Sequence, residues 1–240
     1  MLFQWTDEKI ELYVRASRYT GFHRKLAAYI SPLLTENDTL TDIGCGPGLI
    51  ALTLAPMVKS IMTIDVDARV TGYLTREAEK AHVKNITTIT ADIADVADTA
   101  CDVALMCYFG IPEERLVKIL DTAKRLTVII THGAGTAYAP SKISATVRRS
   151  YATDMEEFLC AGCYDYKRID EKLNFGQPLK SKDEARCFFE LYCKETIPEV
   201  RLKKIEKQID QLQPTDDSIY PYFFPCLKDV AIFMIKSNKK

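Results

Sequence analysis

The chain has 240 residues, enough for one or two domains and for a core that needs no cross-links. At 47% hydrophobic and 27% charged residues it is neither disordered nor collagen-like. With 32 Lys plus Arg against 33 Asp plus Glu, the net charge of −1 gives no overall field for nucleic acid or anionic lipid.

No membrane partner is expected either. Apolar runs such as Val230 to Ile235 have the length of a buried strand, well short of the ~20 residues that cross a bilayer. The first residues meet acids at Asp7 and Glu8 without a basic segment before an apolar one, so no secretory signal is expected. Eight cysteines in such a chain read as reduced thiols, and the expected location is cytoplasmic.

In chain order, Thr6 is placed to cap a first helix, with Asp7 and Glu8 against its positive end. Ile10, Tyr13, Val14 and Ser17 share one face, and Phe22, Leu26 and Ile30 continue the pattern after Gly21. From Thr39, short apolar runs alternate with helix-length segments. Strands are expected at 40–43, 61–64, 86–90, 103–107 and 127–131, and helices near 47–56, 68–81 and 112–124. The strands are rich in Val, Ile, Leu and Thr without strict alternation, as in a parallel sheet covered on both faces. The alternation predicts a doubly wound α/β fold. Further on, 142–159 is expected to be helical and 167–173 a strand, and Ser181 to Glu184 matches a capping box before 185–193. Pro198 opens another helix, with Leu202, Ile205, Ile209 and Leu212 on its apolar stripe. Pro214 to Pro225 reads as a Pro- and Tyr-rich loop before a last strand at 228–236.

The most informative stretch is Asp42-Ile-Gly44-Cys45-Gly46-Pro-Gly48, between a predicted strand and a predicted helix. Glycines allow a sharp turn and close approach of the backbone to a ligand. Pro47 suits a helix's first turn, and the helix start would offer free N–H groups to an anion. A dinucleotide fingerprint has the spacing G-x-G-x-x-G, whereas this loop is G-x-G-x-G with an acid two residues ahead. Asp42 suits a cationic ammonium group better than a pyrophosphate.

These residues resemble the first motif of class I S-adenosylmethionine-dependent methyltransferases. Asp65 ends the second strand, with Val66 beside it; Asp92-Ile93 follow the third; Cys107-Tyr108-Phe109 end the fourth. The resemblance is specific from about Asp42 to Phe109. It implies a seven-stranded Rossmann-like sheet, mostly parallel with the last strand antiparallel, to which the residues themselves add N-terminal helices and a helical insertion before the last strand that is extra relative to a minimal fold and is expected to cap the acceptor site or simply to cover a sheet edge. It implies one methyltransferase domain over 1–240, with an N-terminal helical cap (1–36), a cofactor-binding core (37–177), a helical insertion (178–226) and a last strand (227–240). The implied cofactor is S-adenosyl-L-methionine. Asp42, Gly44, Cys45, Gly46 and Gly48 would hold its methionine end, Asp65 and Val66 the ribose side, Asp92 and Ile93 the adenine, and Cys107 the region of the methyl group.

The same residues have plainer readings. Asp42 or Asp65 can be strand-end acids, and Asp92 can cap a short helix. His132, just after the fifth strand, and Tyr108 are the candidates for catalysis, while Tyr13, Tyr19 and Phe109 are candidates for contact with the acceptor. Phe22 and His23 lie on the same N-terminal helices. The fourth strand lacks the Asn/Asp-Pro-Pro-Tyr sequence of many base-methylating enzymes, so a small-molecule acceptor is expected and nucleic acid is not. A homodimer is compatible with these features. No metal site is expected: Cys160-Ala-Gly-Cys163, with Cys187 and Cys193 beyond, lacks a second close pair. Two rivals stay open: an S-adenosylmethionine-binding partner subunit without activity, and an NAD-dependent oxidoreductase.

Overall fold

The computed structural model describes residues 4–96, 99–110, 113–133, 151–193 and 195–237. The chain opens with α1 (Asp7–Thr20) and α2 (Phe22–Ile30). Thr6 caps α1 by accepting the Lys9 N–H at 3.2 Å, a contact of about 1 kcal/mol. Gly21, at φ 68°, ends α1 in the left-handed conformation that a glycine adopts without strain.

The main sheet is built from β1 (Thr39–Ile43), β2 (Ser60–Asp65), β3 (Ile86–Thr90), β4 (Cys101–Cys107), β5 (Ala123–His132), β6 (Tyr166–Asn174) and β10 (Leu227–Lys236). Its order is β3-β2-β1-β4-β5-β10-β6. The first five strands pair in parallel, and β10 runs antiparallel between β5 and β6. This is the doubly wound, seven-stranded arrangement with an antiparallel last strand that the resemblance implied.

Both faces of the sheet are covered. Leu40, Val103, Leu105, Val128, Ile130 and Ile232 pack with Phe22, Leu26 and Ile30 of α2 and with α3 (Leu49–Leu54). Ile43, Ala104, Met106, Ile129, Ala231 and Phe233, from the opposite pleat, pack with α5 (Glu113–Thr122) and α6 (Tyr151–Ala161). Leaving a side chain the size of Phe22 in water instead would forfeit roughly 2–3 kcal/mol. Between β2 and β3 lies α4 (Ala68–Lys80), which packs Val70 against Ile10 and Val14 of α1.

Several elements differ from expectation in detail. Helix α3 starts at Leu49, not Pro47, because Gly48 holds φ 69° and delays helical geometry past it. Strand β5 begins at Ala123, which pairs with Cys101 across a register shift and extends the ladder toward the amino ends of the strands. Of the helix expected at 142–159, residues before 151 lie outside the described set, as does Pro112 at the expected start of α5.

Strands β8 (Gln213–Pro214) and β9 (Tyr222–Phe224) form within the segment expected to be loop. With β7 (Gln177–Leu179) they make a small antiparallel sheet in which β9 is central. Aromatic residues favour the extended state there, and Pro178 and Pro214 sit on the outer strands, where a missing N–H breaks no ladder. Helices α7 (Lys182–Tyr192) and α8 (Pro198–Ile209) pack Phe188, Phe189 and Ile205 against Leu179 and Phe224. Ser181 caps α7 at 3.0 Å, but Glu184 returns to the Lys180 N–H and to Arg15, so only half of the capping box forms. Leu202, expected on the buried stripe of α8, is 49% exposed.

Candidate functional site

The carboxyl ends of β1 to β5 bring most of the predicted residues together. The loop after β1 turns sharply at Gly44, Gly46 and Gly48, whose φ values are 69°, 52° and 69°. It is tied to the next strand: Gly44 and Cys45 donate to the Ile64 carbonyl at 2.8 and 3.1 Å. A side chain at position 44 would place its Cβ 2.2 Å from the Phe109 ring, so the absence of one lets β4's end close over the loop.

Asp42 lies beneath this loop and is 2% exposed. Its Oδ1 has no hydrogen-bond partner among the described residues. Burial, and next the charge of Asp65, push its carboxyl up to about 7. A buried carboxylate without a donor is costly in itself, and a cation placed beside it would relieve both causes.

Asp65 closes β2 and braces the loop. Its Oδ2 accepts the Gly46 N–H at 2.9 Å and its Oδ1 accepts the Asp67 N–H at 3.0 Å. Each carboxylate oxygen keeps a further lone pair for a ligand. Val66 beside it is 49% exposed, an apolar surface at the rim. Asp92 accepts the Ala94 N–H at 2.9 Å and pairs with Arg115 at 3.1 Å, capping a short turn at Ile93–Asp95 as its plainer reading anticipated. Those bonds hold its carboxyl below the usual range. Ile93 is half-buried beside it. Acids at the amino ends of the strands differ: Asp38 pairs with Arg125 and Asp102 accepts from Thr39, which ties together the opposite ends of the central strands.

The half-buried Cys45 and Cys107 have their thiol pKa values pushed up, first by desolvation and then by Asp42. Tyr108, next along, adopts φ 53°, strained for a residue with a side chain, and is fixed by its N–H on the Ile130 carbonyl at 2.8 Å. Its hydroxyl is buried and has no partner among the described residues. The His132 ring lies 4.6 Å from the Tyr108 ring. Burial and the charge of Lys228 lower His132 to about 4, so it is a neutral imidazole at physiological pH.

The N-terminal helices complete this end. The Tyr13 hydroxyl meets His23 Nε2 at 2.8 Å, and Ser17 Oγ meets His23 Nδ1 at 2.6 Å. Burial lowers His23 to about 3 and raises Tyr13, whose hydroxyl also feels Cys107, Tyr108 and Asp42. Tyr13 therefore belongs to the cluster. Tyr19 does not share it: its ring stacks on Phe223 at 5.6 Å and meets Tyr220 at 6.1 Å, on the side of the small sheet. Among the described residues no cluster of three or more His, Cys, Asp or Glu forms a metal-binding group, and Cys160 and Cys163 are exposed.

Lys228, at the start of β10, is a further member that sequence reading missed. It is 8% exposed, and its Nζ lies 4.2 Å from the Phe175 ring centroid and 5.0 Å from that of Tyr108. Its local sequence, Leu227-Lys228-Asp229, carries no sign of burial, because the rings that cover it come from distant strands.

Comparison with known proteins bears on the fold. Residues 40–128 match a family model described as a methyltransferase domain. No curated protein matches the chain by sequence. The YcgJ protein of Bacillus subtilis is similar in structure, with a TM-score of 0.62 at 16% identity, over 90% of this chain and all of that one. A putative methyltransferase from Bacillus halodurans follows at 0.59 and 10% identity, over 90% of this chain and 98% of that one. A precorrin 8W decarboxylase from Methanobacterium thermoautotrophicum gives 0.53 and 15%, over 88% and 89% of the two chains. At these identities the shared property is the fold. On its strand order, its matched segment and these structures, the protein has the Rossmann-like fold of class I S-adenosylmethionine-dependent methyltransferases.

Proposed function

We propose that the protein is an S-adenosylmethionine-dependent methyltransferase acting on a small-molecule acceptor. The observation that carries this reading is the Asp42 carboxylate, under a glycine loop with an unpartnered oxygen and a pKa raised by burial and then by a second acid. That environment favours an incoming ammonium and disfavours the pyrophosphate of NAD.

On this reading the residues would divide the cofactor between them. Asp42 and the loop from Gly44 to Gly48, with Cys45, would hold the amino-acid end. The remaining lone pairs of Asp65 would accept the ribose hydroxyls, with Val66 packing at the rim. Asp92 would accept the adenine amino group, and the Ile93 N–H would donate to the ring. Cys107 would lie near the methyl group.

When bound, S-adenosylmethionine supplies a methyl group already activated by its positive sulfur. The chain's task is then to hold an acceptor in line with it, a positioning effect that contributes several kcal/mol. Tyr13, Tyr108, Phe109 and His132 would perform that task. Tyr13 is oriented by His23, itself fixed by Ser17. Neutral His132 would accept a proton from an acceptor that must lose one.

Calorimetric titration tests the reading. S-adenosylmethionine and S-adenosylhomocysteine are expected to bind and NAD(H) is not. Binding of NAD(H) alone would overturn it. A methyl-acceptor screen separates an active enzyme from an inactive partner subunit.

A further inference from the structure

The cluster has two electrostatic poles. Asp42 lies at one, beneath the glycine loop. Lys228 lies at the other, where β10 begins beside the ends of β4 and β5. Cys107 feels both the Asp42 carboxylate and the Lys228 ammonium, so the poles bracket the end of β4. On the methyl-transfer reading, the first pole faces the cofactor's ammonium and the second faces the acceptor.

Lys228 is held in a way that suits an anion receptor. Its Nζ sits 4.2, 5.0 and 5.3 Å from the ring centroids of Phe175, Tyr108 and Phe22. Ring faces stabilise an ammonium without adding net charge. Burial lowers its pKa to about 8, which leaves it mostly protonated at neutral pH. The two nearby imidazoles, His23 and His132, are both pushed toward neutrality by burial and then by its charge. An independent observation lies beside it: the buried Tyr108 hydroxyl, a hydrogen-bond donor without a partner among the described residues, on a backbone strained at φ 53°. Strain of this kind is kept where a side chain must be aimed.

We infer that Lys228 and the Tyr108 hydroxyl together receive the anionic group of the methyl acceptor, which is a small carboxylate on a flat or apolar frame. The frame would lie against the same aromatic surface, and the carboxylate would take one charge-assisted bond from the ammonium and one hydrogen bond from the phenol. Specificity follows from this arrangement, because a neutral analogue would forgo the charge-assisted bond from the ammonium. This inference rests on the proposed cofactor reading but fails separately from it.

The test uses the full chain saturated with S-adenosylhomocysteine, its binding first confirmed by calorimetry. Benzoate and benzamide, which are alike in shape and differ in charge, are then compared by ligand-observed NMR. Benzoate is expected to bind about tenfold tighter than benzamide or better, the value of a charge-assisted contact. Lys228→Met should bring benzoate down to the level of benzamide and leave benzamide unchanged. Tyr108→Phe should weaken benzoate about threefold, again sparing benzamide. The inference is overturned if S-adenosylhomocysteine binds and the two probes bind alike or not at all. It is equally overturned if either variant weakens both probes to the same extent. Failure of S-adenosylhomocysteine to bind would instead overturn the cofactor reading beneath it.

Discussion

Replacing Asp42 with Asn should stabilise the free protein at neutral and alkaline pH, although it removes the group proposed to hold the cofactor. Burial raises the carboxyl from the ordinary 3.8 to about 7. The folded protein therefore keeps a proton that the unfolded chain releases at lower pH. Folding is penalised progressively as pH rises from about 4 to 7, and the penalty is constant above that. At 2% exposure there is little solvent screening to reduce the effect. Three units correspond to on the order of 4 kcal/mol at pH 8, of which about 2–3 kcal/mol accrues between pH 5 and pH 8. Asn is neutral throughout, and its unsatisfied amide returns roughly 1–3 kcal/mol of that gain. Urea unfolding of both proteins at pH 5, 6, 7 and 8 isolates this site, because His23, His132 and Lys228 are common to the two. The wild-type protein should lose stability relative to Asp42→Asn as pH rises, by about 2–3 kcal/mol across the range. Parallel curves would refute the claim that Asp42 is a buried acid held near neutrality.

Other perturbations bear on the same loop. Asp65→Ala removes the acceptor of the Gly46 N–H and should weaken S-adenosylhomocysteine binding about tenfold or more by calorimetry; unchanged affinity would count against the ribose role. Gly44→Ala combines φ 69° with a Cβ 2.2 Å from Phe109, and should lower the unfolding free energy by about 2 kcal/mol or more. Gly46→Ala, at φ 52° with its nearest contact 3.5 Å away on Trp5, carries only the backbone strain and should cost about 1–2 kcal/mol. Equal losses in the two glycine variants would show that the Phe109 contact is not a constraint.

The parts of the fold that local chemistry dictates were legible in the sequence. Short apolar strands alternating with helices fix a parallel sheet, and Gly44, Gly46 and Gly48 mark a backbone turn that other residues resist. Asp42, Asp65 and Asp92 fall at strand ends because the strands themselves could be bounded. The remainder depends on where distant segments meet. Tyr13 and Tyr19 are six residues apart on α1, yet one reaches His23 and the other Phe223, since their faces diverge around the helix. Lys228 looks like a solvated strand end until Phe22, Tyr108 and Phe175 are brought over it from three other parts of the chain. Tyr222–Phe224 becomes a central strand only because Gln177–Leu179 arrives on its other side from Gln213–Pro214. Asp92 shows the converse: capping a turn does not consume all its lone pairs, so the plain reading and the functional one coexist.

The account turns on whether the acid under the glycine loop answers to a cation. Calorimetry of S-adenosylhomocysteine at pH 6.5, repeated in two buffers of different ionisation enthalpy, measures the protons exchanged on binding. An ammonium settling beside Asp42 should expel its proton, giving a release above about half a proton per site that disappears in Asp42→Asn. Binding with no proton release, or with the same release in the variant, would mean that the ligand's charged end lies somewhere else.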